Sequence, residues 1–237
     1  MKRNVVVAIT GASGATYALR LIECLLAAGV DVHLCISNSG QAVLSQELDI
    51  HIDLDDFDPR QLMLREPDDF DDRRLNEIRS LAGISSDKSN VLSVNTGEPG
   101  KLYYYHYRDH LARIASGSFL TDGMVLCPCS CGTLSSIVHG TSMNLIHRAA
   151  EVHLKECRKL IVVPRETPLS LVQLTNLKLA AEFGAIVLPA MPGFYHGVKT
   201  IQDLIDFVVS RICDQLGVRN SLIHRWDGFP MEGSEVT

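Results

Sequence analysis

Short, unbroken apolar runs alternate along this chain with stretches in which apolar residues recur every three or four positions. Residues 5–9 (Val-Val-Val-Ala-Ile) form a β-branched run that Thr10 and Gly11 close. Beyond Gly11-Ala12-Ser13-Gly14, Leu19, Ile22, Leu25 and Leu26 fall at helix spacing, since side chains three or four apart share one helix face. Residues 30–36 read as a second buried strand, closed by Ser37-Asn38-Ser39-Gly40 and followed by a helix to Leu48. Strand, crossover helix and strand make a right-handed βαβ unit, and hence a parallel sheet.

The rhythm returns downstream. Residues 123–127, 159–163 and 185–188 read as strands, and helices are predicted over 133–138, 144–157, 170–183 and 200–216. An aromatic run at 103–107, with high β propensity, predicts a further strand. This alternation predicts one α/β domain over 1–237, a doubly wound parallel sheet in a Rossmann-like or flavodoxin-like three-layer sandwich. Two parts break the pattern: an acidic insertion at about 51–101 and a polar C-terminal tail at about 217–237. Between 51 and 80 the insertion carries ten Asp or Glu against five Arg with little periodicity, and so reads as a solvated elaboration.

Composition narrows the classes. At 237 residues and 46% hydrophobic content, the chain can bury a substantial core. A formal charge of -6 argues against a nucleic-acid-coating surface, which needs clustered Lys and Arg. No stretch approaches the roughly 20 apolar residues of a membrane span. The basic start at Lys2 and Arg3 precedes an apolar run too short for export, so the chain reads as cytoplasmic. Seven cysteines without paired spacing are expected to be thiols.

Ligands of open α/β sheets collect beyond the carboxyl ends of the strands, where loops and helix N-termini present N–H groups to anions. The first such loop, Thr10-Gly11-Ala12-Ser13-Gly14-Ala15, lacks both the GxGxxG spacing and a Walker lysine, and fits a phosphate cradle or a plain tight turn. The second, Cys127-Pro128-Cys129-Ser130-Cys131-Gly132-Thr133, gathers hydroxyls and N–H groups. Its CxCxC spacing lacks the second ligand pair of a zinc site, so no metal is expected. Arg148 and Lys155 lie seven apart on one helix face, and Arg165-Glu166 follow the next strand directly after Pro164. These cations and one carboxylate could meet at one ligand; alone, Arg148 and Lys155 read as a solvated face with Glu151 pairing to Lys155. The loop at 189–196 is apolar and aromatic, with the Tyr195 phenol as a hydrogen-bond donor for an anion, and fits a pocket wall. Trp226, in the tail, reads as a capping contact or a lid.

Taken together, Thr10-Gly11-Ala12-Ser13-Gly14-Ala15, Ala115-Ser116-Gly117-Ser118-Phe119, Thr121-Asp122-Gly123-Met124, Cys129-Ser130 with Thr133-Leu134, Asn144-Leu145 with Arg148-Ala149-Ala150, Val163-Pro164-Arg165-Glu166-Thr167-Pro168-Leu169 and Met191-Pro192-Gly193-Phe194-Tyr195-His196 resemble the UbiX-type flavin prenyltransferases. The likeness spans nearly the whole chain apart from the acidic insertion. It implies FMN, bound reduced, held by Gly11, Ala12, Ser13, Ser37, Ser130, Cys131, Gly132, Thr133 and Arg165. It implies that Lys155, Tyr195 and Arg211 grip the phosphate of dimethylallyl phosphate, with Arg148 and Glu47 nearby. Glu166 would transfer a proton, Ser13 would position the reacting groups, and Trp226 would close the site. The implied reaction joins a dimethylallyl group to flavin N5 and then C6 without a metal, giving prenylated FMN for a partner UbiD-type decarboxylase, a chemistry tied to ubiquinone biosynthesis. Homo-oligomers, often dodecamers, with sites at subunit contacts also follow from the resemblance. The sequence departs from the family at Cys131-Gly132, where Met commonly stands first, at Met143 in place of Asp, and at Gly197-Val198. A flavin-dependent cysteine decarboxylase of the same superfamily and a noncatalytic flavin carrier remain open, as does a diphosphate donor, although so few cations favour the monophosphate.

Overall fold

The structure, a computed structural model, describes residues 2–62, 100–195 and 197–223. Most of the acidic insertion, His196 and the tail that carries Trp226 lie outside the described residues. Strands and helices alternate as β1 (Asn4–Ile9), α1 (Ala15–Ala27), β2 (Asp31–Ile36), α2 (Asn38–Leu48), β3 (Leu102–His106), β4 (Gly123–Cys129), α3 (Cys131–Val138), α4 (Leu145–Lys155), β5 (Leu160–Pro164), α5 (Leu171–Glu182), β6 (Ile186–Val187) and α6 (Ile201–Leu216). All strands run parallel, in the order β3-β2-β1-β4-β5-β6. That is the Rossmann order, and its direction reverses between β1 and β4, where doubly wound folds bind their ligands.

Alternation along the central strands supplies two cores. Val5, Val7 and Ile9 of β1 face a layer of α1 and α6, while Val6 and Ala8 face α3, α4 and α5. Both faces are covered, so β1, β2, β4 and β5 are buried almost throughout; β1, β4 and β5 are almost wholly apolar, while β2 carries buried Asp31 and His33 among its apolar residues. The edge strand β3 is only half-buried, and its Tyr-rich sequence suits that position.

Local chemistry fixes the helix starts. Ser37, Ser130, Asn144, Ser170 and Thr200 each accept a backbone N–H from the third residue on, satisfying a donor that the first helical turn leaves open. Gln173 and Asp203 complete capping boxes on α5 and α6. The tight entry to α2 needs glycine, because a Cβ on Gly40 would lie 2.5 Å from the Ile9 carbonyl oxygen.

Between α1 and α6 the sheet's cover hides a charged pair. Arg20 donates from Nε to Asp206 Oδ1 at 2.7 Å and from Nη2 to Oδ2 at 3.2 Å, and both residues are buried. Gln202 donates to the same carboxylate at 2.9 Å, and Glu23 accepts from Arg20 at 3.2 Å. By contrast α5 buries only Asn176 and Ala180 and leaves Leu171 and Val172 exposed.

His33 of β2 stacks on Tyr103 and Tyr105, bonds Tyr105 through Nδ1 and Asn4 through Nε2, each at 3.0 Å, and is almost fully buried. Burial, and secondarily the Arg113 guanidinium, pushes its imidazolium down to about 4. The folded protein thus favours neutral His33, while the unfolded chain protonates it near the ordinary histidine value of about 6.5. Its contribution to stability is complete above that pH and is lost as the pH falls from about 6.5 towards 4. Melting temperature should drop across this window, and His33→Gln should flatten the drop in a thermal-denaturation series against pH.

Candidate functional site

The loops beyond the carboxyl ends of β1, β2, β4 and β5 meet over the β1/β4 crevice. Thr10 ties the first to the fourth: its hydroxyl donates to the Pro128 carbonyl and accepts from the Ser130 N–H, both at 2.8 Å. Thr10 was not singled out from sequence, where it is one more polar turn residue; its function as a bridge emerges only when β1 and β4 are neighbours. The pairing of β4 with β5 slips between Leu126 and Cys129, and this irregular end delivers Ser130 to the start of α3. Gly11 packs so closely on Ser39, at the start of α2, that a Cβ there would collide with the Ser39 Cβ. Arg165, at the end of β5, donates from Nε to the Ser13 carbonyl at 3.2 Å.

These contacts draw together, from four strand ends, the loops that carry Gly11, Ala12, Ser13, Ser37, Ser130, Cys131, Gly132, Thr133 and Arg165. A Cβ on Gly132 would meet nothing within 4 Å, so the α3 loop faces open space. Hydroxyls of Ser13, Ser130 and Thr133, helix N-termini and one guanidinium suit a planar ligand with polar edges and a phosphate, and an FMN fits this donor set. The Ser130 hydroxyl holds α3 in place, accepting from the Thr133 N–H at 3.3 Å and donating to the Thr133 hydroxyl at 3.0 Å.

Glu47 has a sharper position than its sequence announces. Its carboxylate accepts from the N–H of Gly14 at 3.0 Å and of Ala15 at 2.9 Å, so it caps α1, whose own N-cap is Gly14. The positive end of the helix holds this anion and fixes the loop carrying Ser13. Nothing local marks the contact, because Glu47 and the start of α1 are more than thirty residues apart.

Glu166 projects on the other side of Arg165. One carboxylate oxygen accepts from the Thr167 N–H at 3.1 Å, and the other lies 3.9 Å from the Cys131 thiol. Its side chain lines a small apolar cleft of about 90 Å³ with Leu169, Leu177 and Met191. A second cleft of about 210 Å³, bounded by Leu188, Met191 and Phe207, holds Arg211. Pro189 and Met191 border both clefts, so one short segment separates the carboxylate from the guanidinium. Tyr195 stands edge-on to Phe207, one of the residues lining the Arg211 cleft, at 5.8 Å between ring centroids. Arg211 is half-exposed and pairs with Asp214 at 3.3 Å.

Two expectations from sequence need correction. Glu151 does not pair with Lys155; it leans towards Arg148 at 4.0 Å, and Lys155 is taken by the adjacent Glu156. Nor do Arg148, Lys155 and Glu166 meet within one chain. Lys155 ends α4 beside Gly117, and neighbouring Arg158 donates to the Phe119 carbonyl, at the end of the sheet where β4 and β5 begin. Arg165 and Glu166 follow the opposite end of β5. Arg148, a turn inside α4, donates from Nε to the Ala115 carbonyl at 3.1 Å. Helical spacing put both cations on one face correctly; it could not say which end of the sheet that face serves.

A family pattern described as Flavoprotein matches residues 1–213. A flavin prenyltransferase UbiX from Alkalihalophilus pseudofirmus is 41% identical over 226 residues, covering 95% of this chain and 97% of its own. The crystal structure of AnUbiX in complex with FMN and dimethylallyl pyrophosphate superposes with a TM-score of 0.75 at 32% identity, covering 97% of this chain and 100% of that one. A dodecameric FMN-dependent UbiX-like decarboxylase from Escherichia coli gives a TM-score of 0.71 at 31% identity, covering 95% and 99%. With this fold, these loops and relatives matched end to end, the chain belongs to the Flavoprotein family and, within it, to the UbiX-type flavin prenyltransferases.

Proposed function

We propose that this chain transfers the dimethylallyl group of dimethylallyl phosphate to reduced FMN. The observation that carries the reading is the placement of Glu166 and Arg211 on either side of one apolar segment, next to a loop crevice with an FMN-type donor set. Two adjoining, mainly apolar clefts, one holding a carboxylate and the other a guanidinium, suit a five-carbon allyl group bearing a phosphate. AnUbiX, which carries both FMN and dimethylallyl pyrophosphate, supports the pairing of ligands.

In this reading Gly11, Ala12, Ser13, Ser37, the segment Ser130 to Thr133 and Arg165 bind and orient the flavin. Glu47 holds the Ser13 loop by capping α1. Arg211 and Tyr195 receive the phosphate, and their charge and hydroxyl stabilise the departing anion as the allylic C–O bond breaks. The allyl carbon bonds to flavin N5 as its C–O bond breaks, and the N5 proton leaves to the departing phosphate; closure then needs a proton given to the inner alkene carbon, a bond from the tertiary carbon to C6 and loss of the C6 proton, transfers that Glu166 or the departed phosphate would carry. Cations supply all the positive charge, so no metal enters the reaction. The small number of cations favours a monophosphate donor, and the diphosphate bound to AnUbiX makes a comparison of the two donors informative.

Lys155 and Arg148 reach such a site from another copy of the chain. The dodecameric Escherichia coli relative supports assembly, as do the exposed apolar side chains of Leu171, Val172, Phe194 and Met143, which a homo-oligomer would cover. Trp226 closes the site from the tail. The prenylated FMN passes to a UbiD-type decarboxylase, in the cytoplasm and in service of reactions such as those of ubiquinone biosynthesis. Among the described residues no helix is long and apolar enough to cross a membrane. The test is anaerobic incubation with reduced FMN and dimethylallyl phosphate: the extracted flavin gains one five-carbon unit. A cysteine decarboxylase or a flavin carrier would return FMN unchanged.

A further inference from the structure

Behind Glu166 runs a chain of hydrogen bonds that joins three elements. Gln173, in the first turn of α5, accepts from the Ser170 N–H at 2.7 Å through Oε1, as part of the capping box. This fixes which end of its amide is nitrogen, and Nε2 donates to the Cys131 sulfur at 3.3 Å. With its sulfur engaged as acceptor, the Cys131 thiol is left to donate, and Glu166 Oε2 lies 3.9 Å away. The other Glu166 oxygen is held by the Thr167 N–H at 3.1 Å. Cys131 opens α3 inside the flavin crevice, so the same residue touches the crevice loop and the carboxylate.

We propose that Cys131 and Gln173 are positioning residues for the Glu166 carboxylate, setting its direction relative to the loop that holds the flavin. The inference rests on the prenyl-transfer reading above. A carboxylate held at both oxygens, from α3 on one side and the Thr167 backbone on the other, keeps one rotamer in a cleft that Arg165 and Thr167 share with the apolar side chains of Leu169, Leu177 and Met191. A proton acceptor gains from such fixing because transfer requires it within hydrogen-bond reach of one atom. The same surroundings act on the thiol: burial, then the Glu166 charge, raises its pKa above the ordinary cysteine value, while the Gln173 amide pulls it down.

Two measurements test this together. The first is alkylation of Cys131 by iodoacetamide in flavin-free protein, followed by peptide mass mapping, with exposed Cys157 as internal standard. Glu166→Gln removes a like charge and should speed alkylation by about threefold or more. Gln173→Glu keeps the capping acceptor but replaces the amide donor by a carboxylate, and should slow it by a similar factor. The second is the steady-state rate of flavin prenylation. Cys131→Ala, assayed at saturating reduced FMN, should lower kcat by about tenfold with KM for the donor within about twofold, and Cys131→Ser, which keeps a donor, should lose less. Unchanged alkylation ratios, or an unchanged kcat for Cys131→Ala in an active parent, would overturn the inference alone. A parent that binds FMN yet returns it unmodified overturns the inference together with the reading beneath it, and the parent's own flavin mass reveals that case.

Discussion

Glu166→Gln should reduce the rate of prenylated flavin formation by about 10²–10⁴-fold, the range seen when a positioned general base is lost, while FMN affinity stays close to that of the parent. The separation of the two effects follows from geometry. Glu166 bonds to Thr167 and Cys131 and lines its own apolar cleft, whereas Arg165, Thr10, Ser130 and the helix N-termini build the crevice. Gln keeps the shape and the acceptor towards Thr167 but has no basic oxygen for the ring proton. Flavin binding by fluorescence quenching and product formation by mass analysis read the two effects separately. A rate near that of the parent would assign the proton to the departing phosphate instead.

Asp206→Ala should destabilise the fold by about 3–5 kcal/mol, because it leaves the buried Arg20 guanidinium without its counter-charge. The residual partner, Glu23, sits on the more exposed side of α1 and contacts only Nη1. Calorimetry should show a melting temperature about 10 °C lower. The cost belongs to the orphaned charge more than to the pair itself, so the double variant Arg20→Met with Asp206→Leu should recover most of the loss. Recovery would show that the pair adds no net stability over an apolar contact; its absence would show that the pair contributes net stability.

Much of the fold could be read along the chain because it rests on local rules. Unbroken β-branched runs became buried parallel strands, and Ser37, Ser130, Ser170 and Thr200 capped the helices they precede. The aromatic run at 103–107 became β3, displaced by one residue, and it joined the sheet beside β2. Strand order was not legible, since nothing within β4 states that β1 will be its neighbour. The site divides along the same line. Crevice residues adjoin strand ends and were visible as loops, whereas Glu47 capping α1, Thr10 bridging to Pro128, and Gln173 reaching Cys131 depend on contacts between distant segments. Lys155 shows the limit most clearly: its helix face was right, yet its end of the sheet was set by β4 and β5, which place it beside Gly117 and away from Glu166.

The measurement that bears most directly on the proposed function is anaerobic incubation of the purified protein with reduced FMN and, in parallel, dimethylallyl monophosphate or diphosphate, followed by mass analysis of the extracted flavin. A flavin heavier by one five-carbon unit, formed faster from the monophosphate, is the predicted result. Unmodified FMN from both donors, with flavin binding demonstrated in the same samples, would contradict it.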